Sequence, residues 1–176
     1  MLYAHARRAA RRNTNGDYVP LAEQDTQRWD NALIDEAEAL LMAAGALNSP
    51  GRYQLEAAVQ SAHVARRRSG RTDWSAIEQL YAALLTLTHS PVVAINHAVA
   101  LAHTRGAAIA LNALNALQSD ERLTNYQPYW AARADLLAQV GELAQAATAF
   151  DRAIGLERDA AVRAFLLKRK GNLRFS

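Results

Sequence analysis

Between residues 73 and 90, Trp74, Ile77, Leu80, Tyr81, Leu84 and Leu85 recur every three or four positions, and neither glycine nor proline interrupts them. That spacing puts all six on one face of a helix. The same period returns in Trp29, Leu33, Ile34, Ala37, Leu40 and Leu41, and in Tyr53, Leu55, Ala58, Val59 and Ala62. Of the 176 residues, 51% are apolar but only 7% aromatic, so the hydrophobic mass is alanine and leucine, which lose least on entering a helix. Eight glycines and four prolines leave little for sheet turns, and an all-α fold follows. A domain of this length buries roughly 70% of its unfolded surface and has a sufficient core without staples. Cysteine is absent, which excludes disulfides, thiolate metal sites and a cysteine nucleophile.

The breaks between stripes divide the chain. Residues 1–12 read as the back half of a helix with no cap before it, which suggests a fragment, and Asn13-Thr14-Asn15-Gly16-Asp17 reads as a turn with Gly16 at positive φ. Ser49-Pro50 and Ser90-Pro91 each offer an N-cap followed by a first-turn proline, and Thr72 or Asp73 caps the helix between them. Further helices are expected over residues 91–105, 107–117, 126–140, 142–156 and 158–170. The division is therefore 1–26, a helix remnant and loop; 27–88, the first helices; and 89–176, a set of hairpins.

Short connections between helices of this length predict antiparallel hairpins. Gly106 and Gly141 stand 35 apart, close to the tetratricopeptide period. With Gly141 at the inter-helix turn, Trp130, Ala134, Leu137, Ala146, Phe150 and Ala153 fall on that repeat's large and small positions. Small residues let paired helices approach while aromatics fill the space toward the next hairpin. The hairpin before it departs from the pattern at Asn115, where an aromatic is expected. The expected architecture is a stack of antiparallel hairpins in a tetratricopeptide-like right-handed superhelix, a form whose concave surface holds peptides or helices.

Charge is unevenly spread, although the net value is only +3. Arg7, Arg8, Arg11 and Arg12 open the chain, Arg66, Arg67, Arg68 and Arg71 form a second basic cluster, and Lys168, Arg169, Lys170 and Arg174 close it. Acids dominate between the first two clusters, notably Asp30, Asp35, Glu36 and Glu38. An acidic surface meeting a basic one suits protein partners. No basic cluster is interleaved with stacking aromatics, and sequence-specific DNA binding is not expected. The most apolar stretch, 91–102, contains Asn96 and His97 and is shorter than the ~20 residues that span a bilayer. With no secretory signal visible either, a cytoplasmic protein without membrane contact is expected.

Catalytic chemistry finds no candidates. His63, His89, His97 and His103 lack metal-ligand spacing, and no phosphate loop, nucleophile elbow or paired carboxylates are present, so neither metal nor cofactor is expected. Asn96 and Arg133 draw notice because each lies in an alanine-rich stretch expected to be buried; either they satisfy local groups such as Asp135, or they line a concave face and read a partner.

Several segments in order resemble one family. Asn15-Gly16-Asp17, Glu23-Gln24-Asp25, Arg28-Trp29-Asp30 and Leu33-Ile34 are followed by Tyr53-Gln54-Leu55-Glu56 with His63, by Thr72-Asp73-Trp74, and by the run from Ser90 to Asn96. Ala131-Ala132-Arg133-Ala134-Asp135 and the Gly141 hairpin complete the series. It resembles the long, tetratricopeptide-like C-terminal extension, of the DUF6596 type, of extracytoplasmic-function RNA polymerase sigma factors. The resemblance implies a regulatory domain acting through protein contacts with sigma regions 2 and 4 of the same polypeptide and with the polymerase complex. Those two regions, which read promoters, are absent from this sequence. It also implies a small DGPF or YCII-related protein as a further partner, and it directs attention to Arg28, Gln54, His63, Asn96 and Arg133 as partner-binding residues. His97 stands where the family pattern has arginine. The alternative expectation is a free-standing tetratricopeptide-like adaptor for a peptide of another protein, and an enzyme ranks third.

Overall fold

The structure is a computed structural model that describes residues 1–47 and 50–173. It is all-α: helices α1 (Leu2–Ala6), α2 (Asn31–Gly45), α3 (Arg52–Val64), α4 (Arg66–Ser69) and α5 (Trp74–Thr88) are followed by α6 (Pro91–Arg105), α7 (Ala107–Asn115), α8 (Gln127–Gln139), α9 (Leu143–Leu156) and α10 (Ala160–Gly171). The chain forms two compact units that meet in sequence at Thr88 and His89. His89 itself takes a left-handed backbone, φ 49°, immediately before the Ser90-Pro91 helix start.

In the first unit α1 packs against both α2 and α3, around a core of Tyr3, Ala6, Ala10, Trp29, Ile34, Ala37 and Val64. Residues 1–12 differ from the continuous helix expected of them. The helix stops at Arg7 and resumes as a 3-10 turn over Arg8–Ala10. The break brings Ala10 into the core beside Ala6, and two of the carbonyls it releases, those of Ala9 and Arg12, accept hydrogen bonds from the Arg28 guanidinium. The turn that follows is as expected: Gly16 has φ 83°, and Asn13 Oδ1 accepts from the backbone N–H groups of Asn15 and Asp17, each at 2.9 Å. Trp29 does not belong to the α2 stripe; it lies ahead of the helix, and Asp30 caps α2 by accepting from Leu33 N–H at 3.1 Å.

Helix α3 begins one residue after Gly51, so Pro50 precedes it and does not occupy its first turn. The cap expected at Ser49 lies outside the described residues. Val59 and Val64 carry the buried side of α3, while Tyr53 is exposed. Asp73, of the two residues expected to cap α5, does so by accepting from Ala76 N–H at 3.0 Å.

In the second unit α6 pairs with α7 and α8 with α9. Ile95, Ala98, Leu101, Ala110, Leu114, Leu123, Tyr129 and Leu136 form one core cluster. The other face of α8 gives Ala134 and Leu137 to a second, with Ala146, Ala149, Phe150 and Ala153 of α9 and Leu166 of α10. Trp130 packs against both clusters. The six residues that matched repeat positions thus meet around the α8–α9 hairpin. Its turn is a Schellman motif: Gly141 has φ 86°, Glu142 N–H reaches Leu137 O at 2.9 Å, and Gly141 N–H reaches Ala138 O at 3.2 Å. Among the described residues no helix is long and apolar enough to cross a membrane.

Candidate functional site

The arginine clusters are largely internal braces. Arg66 donates to three backbone carbonyls, those of Leu21, Ala22 and Gln24, and lies 5.2 Å from the Trp29 ring centroid. A planar guanidinium with five donors can hold an irregular loop in this way where a lysine cannot. Trp29 Nε1 in turn donates to Gln24 Oε1 at 3.3 Å, and Gln24 Nε2 to Val19 O. Arg67 donates to Asn31 and to Asp35. Arg7 is buried, reaches Gln60 Oε1 at 2.6 Å, and is held below the ordinary arginine value chiefly by burial. Arg28, expected to touch a partner, spends its guanidinium on the Arg12 and Ala9 carbonyls. Only Arg68 and Arg71 of the second cluster point outward without such bonds among the described residues.

Gln54 sits elsewhere in this unit. It lines an open groove of about 410 Å³ bounded by Met1, Leu2 and Tyr3 of the α1 end, by Leu40, Leu41 and Ala44 of α2, and by Tyr53 and Ala57 of α3. The lining is mostly apolar, with Gln54 and the hydroxyls of Tyr53 and Tyr3 as polar groups; the Tyr3 hydroxyl donates to Glu38 Oε1 at 2.8 Å. Burial, reinforced by the neighbouring Glu38, pushes the Tyr3 phenol up to about 12. His63 meets the Trp74 ring edge to face, with centroids 5.7 Å apart. In the first unit, therefore, Arg28, Gln54 and His63 occupy three separate places and do not converge.

The second unit corrects two expectations. Asn96 is exposed on α6, not buried, because Val93, Ile95 and Ala98 take the inward positions of that helix. Arg133 is half-buried on α8 and does not brace Asp135; its Nη1 donates to Asn115 Oδ1 at the end of α7. This bond accounts for the departure of Asn115 from the repeat pattern, since an aromatic there would leave the guanidinium without its acceptor. Asp135 pairs with Arg169 on α10 at 2.6 Å. No hydrogen bond joins Asn96 to Arg133 among the described residues.

Sequence reasoning missed Arg7, Arg66 and Arg67 as structural residues and missed the groove. Arg66 carried no local signal, because its acceptors on Leu21, Ala22 and Gln24 and the Trp29 ring are all far from it in the chain. For the groove, Leu40 and Tyr53 are large apolar or aromatic residues left exposed on its walls.

Residues 1–45 match a family described as "Family of unknown function (DUF6596)". An uncharacterized protein of Rhizobium meliloti (strain 1021) is 40% identical over 166 residues, an alignment that takes in 94% of this chain and 39% of that protein. The chain thus spans well under half the length of that relative. No solved structure matches.

Proposed function

We propose that this chain is the regulatory C-terminal part of an extracytoplasmic-function sigma factor, working in the cytoplasm through protein contacts and without catalysis, metal or cofactor. The observation that carries the reading is the ordered series of motifs from Asn15 to Gly141, whose first part coincides with the DUF6596 match over residues 1–45. A relative of which the aligned region is only 39% supports it, because a sigma factor with such an extension also carries other domains. The hairpins of the second unit would stack as tetratricopeptide-like repeats and hold the sigma regions or their linker in one arrangement, and a signal would shift that population. A DGPF or YCII-related protein is the proposed additional partner.

The direct test is transcription by core RNA polymerase with sigma regions 2 and 4 supplied as a separate polypeptide. Adding this chain should change initiation at the cognate promoter. Equal transcription with and without it, at concentrations that saturate any binding, would refute the reading. The α8–α9 hairpin, with its repeat-like packing, favours one other reading, a peptide-binding adaptor. A natural reading frame that extends upstream into a helix-turn-helix favours the sigma factor over the adaptor.

A further inference from the structure

The hairpin of residues 11–19 holds two asparagines in opposite states. Its base is fixed: Val19 N–H donates to Arg11 O at 2.9 Å, Arg12 and Tyr18 form an antiparallel bridge, and Arg28 holds the Arg12 carbonyl. At the tip, Asn13 is spent on keeping the turn closed. Its Oδ1 accepts from the N–H groups of Asn15 and Asp17, and its Nδ2 donates to Asp17 Oδ2 at 2.9 Å. Asn15 is exposed, and its side-chain amide has no hydrogen-bond partner among the described residues.

Of the asparagines in the chain, only Asn15 precedes a glycine. Glycine has no Cβ to screen its own backbone nitrogen, so the amide side chain before it lies open to attack by that nitrogen. The fold adds a gate to this chemistry. Gly16 takes φ 83°, its N–H donates to Asn13 O at 3.1 Å, and its O accepts from Arg12 Nη1 at 2.9 Å. The attacking nitrogen is therefore occupied while the turn is closed and released when the tip opens, a local event that costs far less than unfolding a core.

We infer that Asn15 is a site of spontaneous deamidation, gated by the opening of this turn, with Asn13 as the residue that holds the gate shut. The Gly16 nitrogen gives its proton to base and bonds to Asn15 Cγ. The Cγ–Nδ2 bond then breaks, and ammonia leaves with a proton taken from water, which closes a cyclic succinimide. Water opens either C–N bond of that ring, giving aspartate or isoaspartate. Both products place a carboxylate beside Asp17 where a neutral amide stood, and isoaspartate also lengthens the backbone by one methylene, which takes Gly16 N–H out of line with Asn13 O. The tip thus ages from a closed, neutral form to an open, acidic one, while Arg28 keeps the base of the hairpin in place. None of this depends on the sigma-factor reading.

The test incubates the whole chain in mildly alkaline buffer, well below its melting transition, beside a synthetic peptide of residues 13–28. Trypsin releases that same peptide from the chain, since no lysine or arginine lies between Arg12 and Arg28. Fragmentation in the mass spectrometer locates each new acid, and labelling by an isoaspartyl methyltransferase scores the isoaspartate. Asn15 should convert to both products while Asn13 stays an amide, and the free peptide should convert faster than the folded chain. Asn13→Ala, an exposed change that removes the acceptor of two N–H groups, should speed conversion in the chain about ten-fold. The same substitution should leave the rate in the free peptide unaltered, and Asn15→Ser should abolish the isoaspartate signal. Three results would each overturn the inference: a chain that stays unmodified under conditions that convert the peptide, conversion at Asn13 as fast as at Asn15, or equal rates in the natural chain and Asn13→Ala.

Discussion

Asp135 and Arg169 stand 34 residues apart and form a 2.6 Å ion pair that ties α8 to α10. Both helices also meet α9, where Lys170 binds Asp151 at 2.6 Å. Helix α10 is therefore fastened by two ion pairs as well as by Leu166 in the core. Burial lifts the Asp135 carboxyl above the ordinary aspartate value, and Arg169 offsets this only in part.

A carboxyl raised in the fold binds its proton more readily there than in the unfolded chain. Its contribution to stability is therefore full below the unfolded value of about 3.8 and declines as pH rises through the raised value. Thermal melts of the natural chain and Asp135→Asn across that range should show the difference between them shifting toward the variant as pH rises. A difference independent of pH would mean that burial does not perturb this group.

Arg66→Ala should destabilise the first unit by about 3 kcal/mol or more, as three charge-assisted hydrogen bonds and the contact with Trp29 vanish together. Arg66→Lys should recover only a fraction of that, because an ammonium cannot reproduce the planar fork. Arg68→Ala, two residues on and only half-buried, should stay within about 0.5 kcal/mol of the parent. Denaturant melts followed by tryptophan fluorescence distinguish the three.

Tyr3→Phe removes the hydrogen bond to Glu38 and should cost about 0.5–1.5 kcal/mol near neutral pH. Because the phenol is raised to about 12, its stabilising contribution persists below the ordinary tyrosine value of 10.0 and is lost only as pH climbs through the raised one. An alkaline absorbance titration of the natural chain should contain a late component that Tyr3→Phe lacks.

Phe150→Ala should cost about 3–5 kcal/mol, since the ring is 1% exposed in the core cluster shared by α8, α9 and α10 and its loss leaves a cavity there. Circular dichroism melts would detect it as a lowered transition of the second unit.

These cases show what periodicity can and cannot reveal. Helix existence followed from apolar spacing, and the Gly141 turn and Asp73 cap followed from local chemistry, because each depends on residues only a few positions away. Arg66 could not be read so, because its acceptors are carbonyls some 42–45 residues upstream, and a carbonyl leaves no mark in the sequence. Arg28 was legible as a residue of interest but not as a brace, for the same reason. Asn96 misled because an alanine-rich helix suggests burial on every side, whereas only one side of α6 is covered at that position. The partner of Arg133 lies 18 residues away at the end of another helix, so the nearby Asp135 looked the natural choice.

The function proposed for this chain requires that it bind sigma regions 2 and 4. Calorimetric titration of the chain into a polypeptide carrying those regions, run beside a melting curve of each variant, tests it most directly. Binding should be saturable, and weakened by about 1–3 kcal/mol in Arg133→Ala at unchanged folded fraction. Absence of any saturable heat from the natural chain would refute the proposed function. Normal binding by a destabilised Arg133→Ala would remove that residue from the contact and leave it solely as the partner of Asn115.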